Sequence, residues 1–248
     1  MITYGFILIG CVCFTGGMLN GATGFGALIV MVPMLLMVLD MQTAIPLGVV
    51  CCILLQLVGA ITLRRHVQKR ALTQLVLSSI PGSWLGATLL SRIPELYMKT
   101  FLGALFFIYA SWCFTRKQTS PQKPPASFWA YIAGFCSGAL GGAFGINGPP
   151  AVIYITRTGW TTEAMRGTLN TLLALVFLSV LAAQYTQGLL VEKVWELAML
   201  CAPLCFLGNR LGWRLARGLR PEQYMRLVML LILVMGLSLC MPALRQII

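Results

Sequence analysis

Two uncharged, glycine-broken stretches carry the polar groups best placed for chemistry. Residues 16–33 (GGMLNGATGFGALIVMVP) contain Asn20, Thr23, Gly24 and Gly26. Residues 134–154 (GFCSGALGGAFGINGPPAVIY) contain six glycines, Ser137, Gly145, Asn147, Gly148 and the adjacent Pro149 and Pro150. Glycine and proline break helices. A break inside a bilayer frees N–H and C=O groups that lipid cannot satisfy, so it persists only where protein buries it or where it lines a cavity. A helix restarting after either break, near Ala27 or Pro149, aims unpaired N–H groups and a positive dipole end into that cavity. The expected chemistry is binding of a small anion through partial charges, which also release it readily.

Close helix packing accounts for a single small-residue motif of this kind, but here the motif occurs twice. GMLNGATG at 17–24 and GALGGAFG at 138–145 share the pattern G-x-L-x-G-A-x-G, 121 residues apart. PELYMK at 94–99 returns as PEQYMR at 221–226, and Pro81-x4-Gly86 as Pro203-x4-Gly208. Three echoes in one order predict a duplicated architecture: residues 1–115, a Pro-rich cytoplasmic linker at 116–126, and residues 127–248.

The elements that hold these motifs are membrane helices. The chain is 58% hydrophobic and 10% charged, with mean hydropathy +0.86, whereas a soluble domain carries about 25% charged residues. Apolar runs of span length lie at 44–63, 72–90, 98–114, 166–184, 194–207 and 225–242. Residues 4–39 and 128–156 are each too long for one span, and each is either two crossings or a pair of re-entrant half-helices. The expected fold is an all-α polytopic membrane protein of about 8–10 membrane segments. The N-terminus lacks the basic region of a signal peptide, which predicts a retained first segment.

Basic loops orient the halves. Residues 64–70 (RRHVQKR), 116–123 and 210–226 are basic, which puts them on the cytoplasmic side. PELYMK then falls outside and its echo PEQYMR inside, the pattern of inverted-topology repeats, with both termini outward. The net charge of +12 follows from these loops and does not point to nucleic acid.

The remaining chemistry-bearing residues have blander readings. Nine cysteines lack paired ligand spacing and behave as small hydrophobes in apolar segments, so no metal and no cofactor is expected. No Walker A motif is present, so the chain itself hydrolyses no nucleotide. Ser137 in GFCSG superficially resembles an intramembrane protease serine, but the single histidine, His66, lies in a loop of the other half; no catalytic residue is assigned. Asn170, inside a span, is a secondary candidate. Arg166, abutting a span, is the candidate anion attractor at one mouth, with Arg157 beside it. A passive anion channel is the competing reading to a carrier.

The motif SG-x3-G-x2-G-x2-GPP-x3-Y at 137–154, together with MRGT at 165–168, resembles the sulfite exporter TauE/SafE family over essentially the whole chain. That resemblance implies a secondary transporter, exporter or permease, for sulfite, sulfonates or related organic anions. Its implied setting is the plasma membrane, multi-pass (the inner membrane in a bacterium). The expected partners are the small anion and the lipid bilayer, with a second copy of the chain as a further candidate. Ala27 and Asn147 stand where that family more often has glycine, and Asn147 adds an amide donor.

Overall fold

A computed structural model of the chain describes residues 2–24, 26–115 and 127–215. Those residues form nine α-helices and no strand: α1 Ile2–Thr23, α2 Ala27–Leu35, α3 Met41–Thr62, α4 Lys69–Arg92, α5 Glu95–Thr115, α6 Ser127–Phe144, α7 Gly148–Ile155, α8 Thr162–Thr186 and α9 Glu192–Leu215. The linker, the 225–242 span, PEQYMR and the C-terminus lie outside the described residues.

This is an all-α membrane protein. Among the described residues, α3, α8 and α9 are long and apolar enough to cross a bilayer. The expected spans at 44–63, 72–90, 98–114, 166–184 and 194–207 fall on α3, α4, α5, α8 and α9. The two ambiguous regions each resolve into one long helix and one short one: α1 with 22 residues and α2 with 9, α6 with 18 and α7 with 8. Nine residues rise only about 14 Å, half a hydrocarbon core. The short arm α2 folds back along α1, since a Cβ on Gly16 would touch the Met31 side chain at 3.0–3.3 Å. Each broken region is therefore a long helix followed by a short one that packs against it.

Capping residues mark where the chain resumes. The Asp40 carboxylate accepts from Thr43 N at 2.9 Å at the start of α3. At the start of α8, Thr161 Oγ1 accepts from Ala164 N at 3.3 Å. Both satisfy an otherwise orphaned first-turn donor.

The helices pack in exchanged pairs. α1 lies against α9 and α6 against α4, while α3 and α8 meet at the centre. The principal contacts are preserved when α1 is matched with α6, α2 with α7, α3 with α8, and α4 with α9. Glycine makes the exchanged pairs close. A Cβ on Gly17, Gly21, Gly208 or Gly212 would overlap a carbonyl oxygen of the facing helix, and so would one on Gly82, Gly86, Gly134, Gly138 or Gly142. Backbones that approach this closely gain dispersion contacts over their whole length, the main source of attraction between helices in lipid.

Those glycines also fix the register. Gly82 and Gly86 play the part of Gly208 and Gly212, a shift of 126 residues. The Pro81/Pro203 echo, with its shift of 122, is therefore one helical turn out of step with the packing. A proline inside a helix needs only free space on its own turn, whereas an interface glycine must meet a particular carbonyl.

The central pair runs antiparallel. Gly167, near the start of α8, lies against Leu63 just past the end of α3, and Gly59 lies against Asn170. Along the axis between them the core is almost wholly apolar, with Ile45, Leu47, Leu172, Val176 and Val180 fully buried.

Candidate functional site

Both breaks are built by one device. Gly24 (φ 81) and Gly145 (φ 73) take the left-handed conformation, which β-carbon sterics reserve largely for glycine. Gly24 N donates to Asn20 O at 2.6 Å, and Gly145 N donates to Gly141 O at 2.8 Å. This closes α1 and α6 with a left-handed C-cap and turns the chain sharply. The paths then differ. Gly26 is again left-handed (φ 95), whereas its counterpart Asn147 has φ −94 and begins α7 from ordinary backbone.

The two breaks converge on one cavity of about 280 Å³, counting its open mouth. One wall is Gly26 and the first turn of α2, Ala27, Leu28 and Ile29. The opposite wall is the second break, Gly145, Ile146, Asn147 and Gly148. Cys52 and Gln56 close it from α3, and Leu173 and Phe177 from α8, at mid-length on each helix. Its free space has room for about one water molecule, so admitting a larger solute requires the walls to part.

The lining contains no charged side chain; its polarity comes from helix ends and amides. The four N-terminal N–H groups of a helix lack intrahelical acceptors. At α7 two of those four positions are Pro149 and Pro150, which have no N–H. The N-terminus of α7 therefore offers fewer donors than the dipole argument alone suggests. Asn147, beside that N-terminus, carries a further N–H donor in its side chain. Its side chain makes no capping bond, is 3% exposed, and leaves Nδ2 without a partner.

Gln56 is the second buried amide, 2% exposed. Its Nε2 donates to Asn20 Oδ1 at 3.2 Å. Asn20 Nδ2 in turn donates to Asn209 Oδ1 at 3.2 Å. This chain of amides joins α3 to α1 and then to α9. Gln56 Oε1 is left buried with no partner.

The sequence-derived candidates divide accordingly. Gly26, Gly145, Asn147 and Gly148 line the cavity. Asn20 stands behind it and holds Gln56. Ser137 is fully buried and donates its hydroxyl to the Asn147 carbonyl, so it anchors the break rather than facing the cavity. Pro149 is buried in the first turn of α7, and Gly24 forms the turn without lining the cavity. Thr23 ends α1; its side chain lies outside the described ones. Arg166 is exposed in the first turns of α8. It precedes Leu173 by seven residues, about 10 Å along the helix, so it lies at an end of the helix and not in the cavity. Asn170 spends Nδ2 on the Arg166 carbonyl at 2.8 Å.

Gln56, Cys52, Leu173, Phe177 and Asn209 were not among the sequence-derived site residues. Gln56 alone had a readable signal, being the one amide inside an otherwise apolar span.

Contacts between the halves bracket the cavity at both ends of α8. At one end His66 Nε2 lies 3.2 Å from Glu163 Oε2, and Gln68 N donates to Thr168 Oγ1 at 3.0 Å. At the other, Ser91 Oγ donates to Gln187 Oε1 at 3.2 Å.

The fold and the site thus define a helical membrane protein with an uncharged cavity between two broken helices. The chain belongs to the sulfite exporter TauE/SafE family, whose profile matches residues 8–239. It is thus one of a family of membrane transporters for sulfite and related anions. No curated protein and no solved structure matches the chain.

Proposed function

We propose that this protein is a secondary transporter that carries a small oxyanion, sulfite or a sulfonate, across the plasma membrane through the cavity between its two helix breaks. The observation that carries this reading is the convergence of both breaks on one cavity whose lining residues Gln56 and Asn147 each bury one amide atom without a partner, Oε1 and Nδ2. Asn147 Nδ2 and the free N–H groups at the starts of α2 and α7 hold the anion's oxygens. Arg166 acts earlier, attracting anions to the mouth at the His66 end.

The working halves are residues 1–115 and 127–248, related as inverted repeats. The exchanged packing and the antiparallel α3 and α8 support this arrangement. Transport then consists of one half rocking against the other. Parting the His66–Glu163 and Gln68–Thr168 contacts opens one side, and parting Ser91–Gln187 opens the other. A narrow cavity with contacts at both ends favours such a carrier over an open channel.

The test is a substrate panel against the purified protein: sulfite, sulfoacetate, taurine and simple carboxylates, read by thermal stabilisation. A ligand at 100 times its Kd stabilises by about 2.7 kcal/mol, a shift of several degrees. The reading predicts stabilisation by sulfite or a sulfonate that Asn147→Ala weakens. Stabilisation by none of the anions would refute it.

A further inference from the structure

We propose that Gln56 makes this site selective for an oxyanion that still carries one acidic proton, such as hydrogensulfite, over an equally charged anion without an O–H. The proposal rests on the anion-site reading above and adds the protonation state of the ligand.

The amide chain has a direction. Gln56 Nε2 donates to Asn20 Oδ1, and Asn20 Nδ2 donates to Asn209 Oδ1, each at 3.2 Å. With its nitrogen held by Asn20, Gln56 presents Oε1 as a buried acceptor without a partner. Asn147, which lines the same cavity, holds Nδ2 as a buried donor without a partner. A buried polar group left unpaired is costly, and one ligand that supplies both missing partners relieves both costs.

A fully deprotonated oxyanion cannot do so, because its oxygen lone pairs would face the lone pairs of Oε1. A singly protonated one can. Its O–H donates to Gln56 Oε1, while its remaining oxygens accept from Asn147 Nδ2 and from the N–H groups of Ala27 and Gly148. The uncharged lining agrees with this, since a single negative charge is matched by helix ends and amides, whereas a dianion lacks the fixed cation it would need.

Two isosteric probes separate the protonation state from charge and shape. Methylphosphonate, at a pH where it is a monoanion, carries one P–OH; methanesulfonate has the same charge and shape and no O–H. Isothermal titration of the full-length protein in detergent should show methylphosphonate binding at least about tenfold more tightly. Gln56→Met should abolish that preference while methanesulfonate still binds. Without any variant, the apparent affinity for total sulfite should fall as pH rises through the second ionisation of sulfite. Equal or tighter binding of methanesulfonate by the wild type, or a pH-independent affinity for sulfite, would overturn the role of Gln56 and leave the anion site standing. Failure of sulfite and both probes to bind would overturn both readings.

Discussion

Gly145 separates two demands that one residue meets. Its φ of 73° requires left-handed backbone, and its position on the cavity wall has space for a methyl group but sets a long side chain against the cavity. A Cβ there would lie 3.5 Å from Leu28 Cδ1, 3.6 Å from Ile45 Cγ2 and 3.8 Å from Val32 Cγ2, which is ordinary van der Waals contact. Gly145→Ala therefore meets no steric obstacle, and its cost is the backbone term alone, about 1–2 kcal/mol. For a chain of this length that lowers the melting temperature by roughly 2–8 °C. Gly145→Leu carries the same backbone cost and adds three further carbons beside a narrow space that holds about one water. The assay is sulfite flux into proteoliposomes alongside melting of the same preparations in detergent. The alanine variant should melt lower and still transport. The leucine variant should insert, remain folded and carry no measurable flux. Normal flux through Gly145→Leu, or complete loss in a folded Gly145→Ala, would refute the placement of the site at this turn.

Further expectations concern the frame around the cavity. Gly138→Val and Gly212→Val should each destabilise the protein by about 3 kcal/mol, the upper part of the overpacking range, because the obstacle is a backbone carbonyl that cannot move aside. Gly188→Ala, left-handed at φ 72 but with nothing within 4 Å, should cost only the backbone term, and comparative melting in detergent distinguishes the two. Asn209→Leu removes the acceptor for Asn20 Nδ2 and should lower stability by about 1 kcal/mol; a double-mutant cycle with Asn20→Leu should then show coupling between the two positions. A reporter fused after Ile248 should register outside the cell, and a cytoplasmic signal there would contradict the inverted arrangement of the halves.

The breaks were legible because glycine and proline act locally. Gly24, Gly26, Gly145 and the Pro149–Pro150 pair determine where helices stop and restart, and the 121-residue repeat of their pattern made them a matched pair before any packing was known. The long apolar spans were legible for the same reason, since composition and length suffice. The cavity's other walls were not. Cys52, Leu173 and Phe177 are ordinary apolar span residues, and they become site residues only because α3 and α8 pack together and bring them to one cavity. Asn209, 189 residues from its partner Asn20, is joined to it only by the exchanged packing of α1 against α9. Ser137 and Arg166 show the opposite difficulty. Their types suit ligand binding, yet Ser137 is spent on the Asn147 carbonyl and Arg166 lies turns away on the surface. The proline echo misled by one turn, because the feature that repeats most visibly in sequence is not the one that sets helix register.

The central claim is that one site between the two breaks carries the anion. Counterflow tests it most directly: proteoliposomes preloaded with unlabelled sulfite and exposed to a trace of labelled sulfite. A carrier with this site should accumulate label transiently, saturate with external sulfite, and lose both behaviours in Gly145→Leu. Flux that rises without limit with concentration, shows no counterflow, or persists unchanged in that variant would contradict the account.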